Sequence, residues 1–152
     1  MKLSASDYNI LSYVLRKNLM SYDQAISWAY AQYTDHGVDP FIEKISLAYD
    51  VAEILELISN TYQVNGERCK EFLAGEAANR FSNNELSLYA AISYILFDLD
   101  LELPEDERQE LYIAEDYFGW HEKAETEAIK HALPIFDKYR PIYEQTISKF
   151  TV

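Results

Sequence analysis

Apolar side chains recur along this chain at intervals of three and four residues, the spacing that keeps them on one face of a helix. The longest apolar run, Ser82 to Leu101, carries Leu86, Leu88, Tyr89, Ala91, Ile92, Tyr94, Ile95, Leu96, Phe97 and Leu99 with no clean polar face. A helix apolar nearly all round is one surrounded by other helices. The run is therefore expected to be the central helix, opened by a capping box between Ser82 and Glu85.

Before it, Ser6 or Asp7 is expected to cap a first helix with Ile10, Leu11, Val14 and Leu15 as its stripe. A break near Asn18 leads to Ser21, the cap of a second helix carrying Ile26, Ala29, Tyr30 and Tyr33 and closed by Gly37. Asp39-Pro40 reopens the pattern, Asp as cap and Pro at the first helical position. Phe41, Ile45, Ala48, Ala52, Leu55, Ile58 and Tyr62 then predict one long helix. Asn65-Gly66 reads as an inter-helix loop, followed by a short helix through Cys69, Phe72, Leu73 and Ala77 that ends before Ser82. Beyond the central run, Pro104 starts a helix with Glu105, Asp106 and Glu107 in its first turn, Leu111, Ala114, Tyr117 and Phe118 inward, and Gly119 at its end. From His121 to Phe150 one stripe runs through Ala124, Ala128, Ala132, Ile135, Tyr139, Tyr143 and Ile147, yet Pro134 and Pro141 predict a break and a kink. The pattern specifies an all-α chain of about seven helices around the 82–101 helix, with residues 1–152 forming a single domain.

Composition narrows this without changing it. At 152 residues a chain can bury roughly 70% of its unfolded surface in one core. Thirteen Tyr, seven Phe and two Trp argue against disorder despite a net charge of −13. Four Gly and four Pro are too few for a many-turned β-sandwich. A single Cys makes no internal disulfide, the N-terminal stretch lacks the apolar core of a secretion signal, and no window approaches ~18 consecutive apolar residues. A cytoplasmic protein is expected. The acidic balance disfavours nucleic acid and anionic membranes as partners and favours a cationic protein. A solvated, solubilising surface gives the same composition.

Motifs with specific chemistry are sparse. His121-Glu122 with Glu125 resembles half of a zinc-protease helix but lacks the second His. Asp50, Glu53 and Glu56 at i, i+3, i+6 could hold Mg²⁺ as in all-helical phosphohydrolases, although Asp98, Asp100 and Glu102 do not complete a one-face set and no Lys or Arg cluster awaits a phosphate. No Glu-x-x-His pair, no glycine-rich phosphate loop and no spaced nucleophile and base occur. Cys69, between Arg68 and Lys70, fits a small core residue better than a reactive thiol. No cofactor is expected.

What remains is charge. From Asp98 to Glu127 twelve Asp and Glu stand against only Arg108 and Lys123. Inside this belt, Glu115-Asp116-Tyr117-Phe118-Gly119-Trp120-His121-Glu122 sets aromatics among carboxylates at a helix corner, as at an interface whose anchor is ringed by steering charges. Equally, Tyr117 and Phe118 could belong to the core with Trp120 stapling the next helix. The partner-binding set is expected to be Asp106, Glu107, Glu110, Glu115, Asp116, Tyr117, Trp120 and Glu122. In size, charge and the segment Asp98 to Glu122, the chain resembles the small acidic all-helical immunity proteins that bacteria make against their own polymorphic or contact-delivered toxins. The resemblance implies a non-enzymatic inhibitor whose acidic surface occludes the cleft of a toxin domain, often a basic nuclease. Two rivals follow from the residues: a Mg²⁺-dependent phosphohydrolase built on Asp50, Glu53 and Glu56, and a helical adaptor or homodimer that uses its tyrosines as contact surface.

Overall fold

Short side chains placed before apolar stripes decide where these helices start. Ser4 accepts from the Asp7 N–H at 3.2 Å while Asp7 accepts from the Ser4 N–H at 2.9 Å. That reciprocal box begins α1, Ala5–Arg16, two residues ahead of the expected Ser6. Ser21 and Gln24 form the same box for α2, Tyr22–Ala31. Asp39 caps α3, Pro40–Ser46, through the Phe41 N–H at 2.8 Å, with Pro40 at the first position as expected. In this computed structural model residues 2–62 and 70–151 are described. The Asn65-Gly66 loop and Cys69 lie outside them. Among the described residues the chain is all-α, with eight α-helices, one π-helical turn and no strand beyond an isolated bridge between Thr34 and Gly37. No helix among them is long and apolar enough to cross a membrane.

The chain divides into two compact units, Met1–Arg68 with Ile147–Val152, and Cys69–Thr146. In the first, α1 packs on α4, Val51–Tyr62, and α2 on α3. Tyr8 stacks on Tyr62 at 4.7 Å and meets the edge of Phe41 at 4.8 Å. Trp28 is wholly buried; its indole N–H donates to the Lys149 carbonyl at 2.7 Å and its ring lies 5.3 Å from Phe150. The expected α2 stripe is out of phase: Ala25, Trp28 and Ala29 are buried, whereas Tyr30 and Tyr33 are exposed and stacked on each other. α2 stops at Ala31, and Gly37, at φ 103°, closes a separate turn through paired backbone bonds with Thr34.

The long helix expected from Phe41 to Tyr62 is two. Ser46 turns its hydroxyl back onto the Glu43 carbonyl at 2.6 Å, and Asp50 starts α4 by accepting from the Glu53 N–H at 2.9 Å. Polar side chains that can satisfy the backbone locally offer it an alternative to continuing the helix. The inward stripe therefore restarts in a new phase at Ile54 and Ile58, leaving Ala52 exposed.

In the second unit the 82–101 run is divided for the same reason. Ser82 ends α5, Lys70–Ser82, instead of opening a helix. Asn84 adopts a left-handed φ of 60°, and Ser87 caps α6, Leu88–Ser93, through the Ala90 N–H at 3.1 Å. α6 passes into a π-helical turn, Tyr94–Asp98. Leu88, Ala91, Ile92, Ile95 and Leu99 are buried, but Tyr89 and Phe97 are about half exposed, so the run has an outer face after all. α7, Glu105–Tyr117, follows Pro104. α8, Ala124–Ser148, runs unbroken through Pro134, against expectation. Pro134 and Pro141 both sit at exposed positions, as do Lys130 and Asp137, whose carbonyls the rings leave without a donor, so water can replace the lost bonds. Burial of Ala128, Ala132, Ile135, Phe136 and Tyr139 on the other face holds the helix together. Facing them, α5 brings Gly75 so close to α8 that an added Cβ would lie 2.8 Å from the Tyr143 Cβ and collide with the Tyr139 carbonyl.

Candidate protein-binding face

α7 sorts the acidic belt. With each residue turned about 100° from the last, Glu107, Glu110, Ala114 and Tyr117 share one stripe, Asp106 and Ile113 lie along its edge, and Tyr112 and Asp116 lie on the opposite side. The first stripe meets α8. Glu107 takes the Lys138 ammonium at 2.7 Å with the Tyr139 hydroxyl at 3.5 Å, and Glu110 lies 2.5 Å from His131. The hydrogen bond that Lys138 donates to Glu107 holds its ammonium above the ordinary pKa of 10.5. Tyr117 stacks near His131 at 5.8 Å and Trp120 at 5.7 Å. These three members of the expected set, Glu107, Glu110 and Tyr117, make contacts within the second unit.

The other five remain outward. Asp106 and Glu122 are exposed, Glu115 is half-buried, and none has an ion pair among the described residues. Asp116 accepts from the Trp120 indole N–H at 3.2 Å, which orients a ring that is 66% exposed. The corner thus carries a rigid, exposed aromatic beside unneutralised carboxylates, in a segment where Arg108 and Lys123 are the only cations.

Beside this corner is an element the periodicity had assigned to the core. Tyr89 of α6 packs on Phe118 at 5.2 Å, and Phe97 of the π turn packs on Tyr112 of α7 at 5.9 Å. Tyr89, Phe97, Tyr112 and Ile113 are each more than two-fifths exposed. The signal that could have found them is Ser87, whose capping pattern after Asn83-Asn84 resets the helical phase.

The metal-binding alternatives gain no geometry. Asp50 caps α4, and Glu53 accepts from the Tyr49 N–H at 2.7 Å, so two of the three proposed Mg²⁺ ligands already serve the backbone. His121 precedes α8 and accepts from the Lys123 N–H at 3.0 Å, so it shares no helical face with Glu125. Among the described residues no group of three or more His, Cys, Asp or Glu side chains could hold a metal ion. The first unit holds a cleft of about 410 Å³ between Val14, Met20, Ile147 and Phe150, in which Asp23 is the one ionisable group among the described residues. One carboxylate without an acid or base to oppose it is a poor basis for proton-transfer catalysis. No family model, curated protein or solved structure gives a significant match to this chain.

Proposed function

We propose that this chain is a non-enzymatic binding protein that holds a cationic protein on the outward side of α7, in the manner of an immunity protein occluding a basic toxin domain. The observation that supports it best is the division of the belt: Glu107 and Glu110 are engaged by Lys138 and His131, while Asp106, Glu115 and Glu122 have no ion pair among the described residues and lie near the exposed Trp120. Unpaired carboxylates around an exposed aromatic accelerate encounter with a basic surface and then leave an anchor for its pocket. A nuclease must display Lys and Arg where phosphates bind, and such a cleft would be blocked by charge and bulk, without turnover.

The test is co-expression with the basic C-terminal domain of a toxin encoded beside this chain. Growth is expected to be restored by the wild type and lost with Glu115→Lys plus Asp116→Lys. Purified complexes should dissociate faster as salt is raised, with a shallower salt dependence in the double variant. Protection that survives the double reversal and is indifferent to salt overturns the proposal.

A further inference from the structure

The seam between α6 with its π turn and α7 carries two aromatic rungs, Tyr89 on Phe118 and Phe97 on Tyr112. Tyr89 and Phe97 are eight residues apart and Phe118 and Tyr112 six, which at about 1.5 Å per residue places the rungs about 9–12 Å from each other along the seam. Phe97 is 54% exposed, Tyr89 46% and Tyr112 45%. Large apolar side chains grouped on one face are unusual on a protein surface that meets only water. The π turn itself points the same way, since such turns are rare and concentrate at functional sites. The charges along these elements are mostly of one sign: Asp98 follows Phe97, Glu105 and Asp116 flank Tyr112 on α7 and Glu115 lies between the rungs, opposed by Arg108 one turn from Tyr112 and by Lys70, which is paired with Asp100. A second copy of this acidic face would be repelled.

We infer that the α6–α7 seam is a docking groove for an amphipathic cationic helix, which would seat apolar side chains seven or eight residues apart on the Tyr89 and Phe97 rungs and place lysines or arginines against Asp98, Glu105, Glu115 and Asp116. A helix laid in an aromatic groove is read through anchors at i, i+3, i+4 and i+7, and the rung spacing matches two helical turns. The inference rests on the proposed function and deepens it: it puts the apolar centre of the interface on the seam and leaves the Trp120 corner at its rim.

The probe is a synthetic Leu/Lys peptide with leucines on one helical face, compared by fluorescence anisotropy with a peptide of identical composition whose order is scrambled. The full chain is expected to bind the patterned peptide about tenfold or more tightly than the scramble, as a buried aromatic anchor commonly confers. Phe97→Ala, and independently Tyr112→Ser, should erase that difference while leaving scramble binding and helical circular dichroism unchanged. Glu105→Lys with Asp116→Lys should weaken both peptides alike. Equal affinity for the two peptides, or a patterned peptide indifferent to Phe97→Ala, overturns the groove while the electrostatic function stands. Failure of both peptides to bind at low salt overturns both. A concentration-dependent mass that Phe97→Ala abolishes and the peptide does not compete would assign the seam to self-association and overturn the inference.

Discussion

Gly75→Ala tests the packing of the unit that carries α7. On α5, a Cβ at this position would meet the Tyr139 carbonyl and approach the Tyr143 Cβ to 2.8 Å. Neither is the far end of a flexible side chain, so rotamer changes give no relief and α5 must move off α8. Overpacking of this kind costs about 1–3 kcal/mol and sometimes more, because backbone and neighbouring contacts shift together. Ala returns about 1 kcal/mol through its better helix propensity. The close approach involves two separate atoms of α8 backbone or its root, so we place the clash at the upper end and the net loss at about 2 kcal/mol. For a chain of this size each kcal/mol lowers Tm by about 2–4 °C, so a fall of about 4–8 °C is expected by circular dichroism. Gly119→Ala is the control, since its Cβ would meet only the Asp116 carbonyl at 3.4 Å, and it should be near neutral. A Gly75→Ala protein as stable as wild type, or more so, would refute the close contact of α5 with α8.

Trp28→Phe removes the donor to the Lys149 carbonyl and leaves space beside Phe150; an orphaned buried carbonyl costs about 1–3 kcal/mol, read as a lower urea midpoint. Burial works to raise the Asp7 carboxyl, but the Ser4 N–H and Lys149 outweigh it and its pKa lies below the ordinary 3.8. That contribution is complete above the unfolded value and lost as pH falls through the lower folded one, so Asp7→Asn should flatten the decline of the urea midpoint between about pH 5 and pH 2. Mg²⁺ should shift Tm no more than NaCl at equal ionic strength, and Asp50→Ala should cost about 1 kcal/mol as a lost cap whether or not Mg²⁺ is present. A metal-dependent rise in Tm that Asp50→Ala removes would favour the phosphohydrolase alternative.

Helix content and most inward residues were legible because the three-to-four-residue period survives in every segment, and Ser21 and Asp39-Pro40 mark their starts with residues that have few other uses there. The breaks were less so. Between Phe41 and Tyr62, and again between Ser82 and Leu101, apolar residues continue across the interruption, and a count of matches to one period absorbs a change of phase. What divides these stretches is a few hydrogen bonds, Ser46 to Glu43, Asp50 to Glu53 and Ser87 to Ala90, each contributing only about 1 kcal/mol. That is enough where apolar burial continues across the break, as Ile45 and Ile54 do around the first and Ala78 and Leu88 around the second. Phe97 and Tyr89 were misassigned for this reason: their hydrophobicity was counted, and the shift that turns them outward was not.

The belt shows the same limit in its charges. Twelve carboxylates in sequence order give a sum, whereas binding depends on which of them keep their charge facing water. Glu107 and Glu110 are three apart on α7, and their partners Lys138 and His131 are seven apart on α8, paired in antiparallel order. Those partners straddle Pro134, so a helix broken there, as the sequence suggests, would not hold both in line. Continuity of α8 therefore does more than complete the bundle of the second unit: it draws two carboxylates out of the belt and fixes the rotation of α7 about its axis. Once that rotation is set, Tyr112 and Asp116, one turn apart, must both face away from α8, since the angle between residues on a helix is not free. Straightening α8 further by Pro134→Ala should thus leave the Glu107–Lys138 and Glu110–His131 pairs intact, with binding of a cationic peptide unchanged. Lys138→Glu should do the opposite, turning Glu107 outward and raising peptide affinity at low salt while lowering stability.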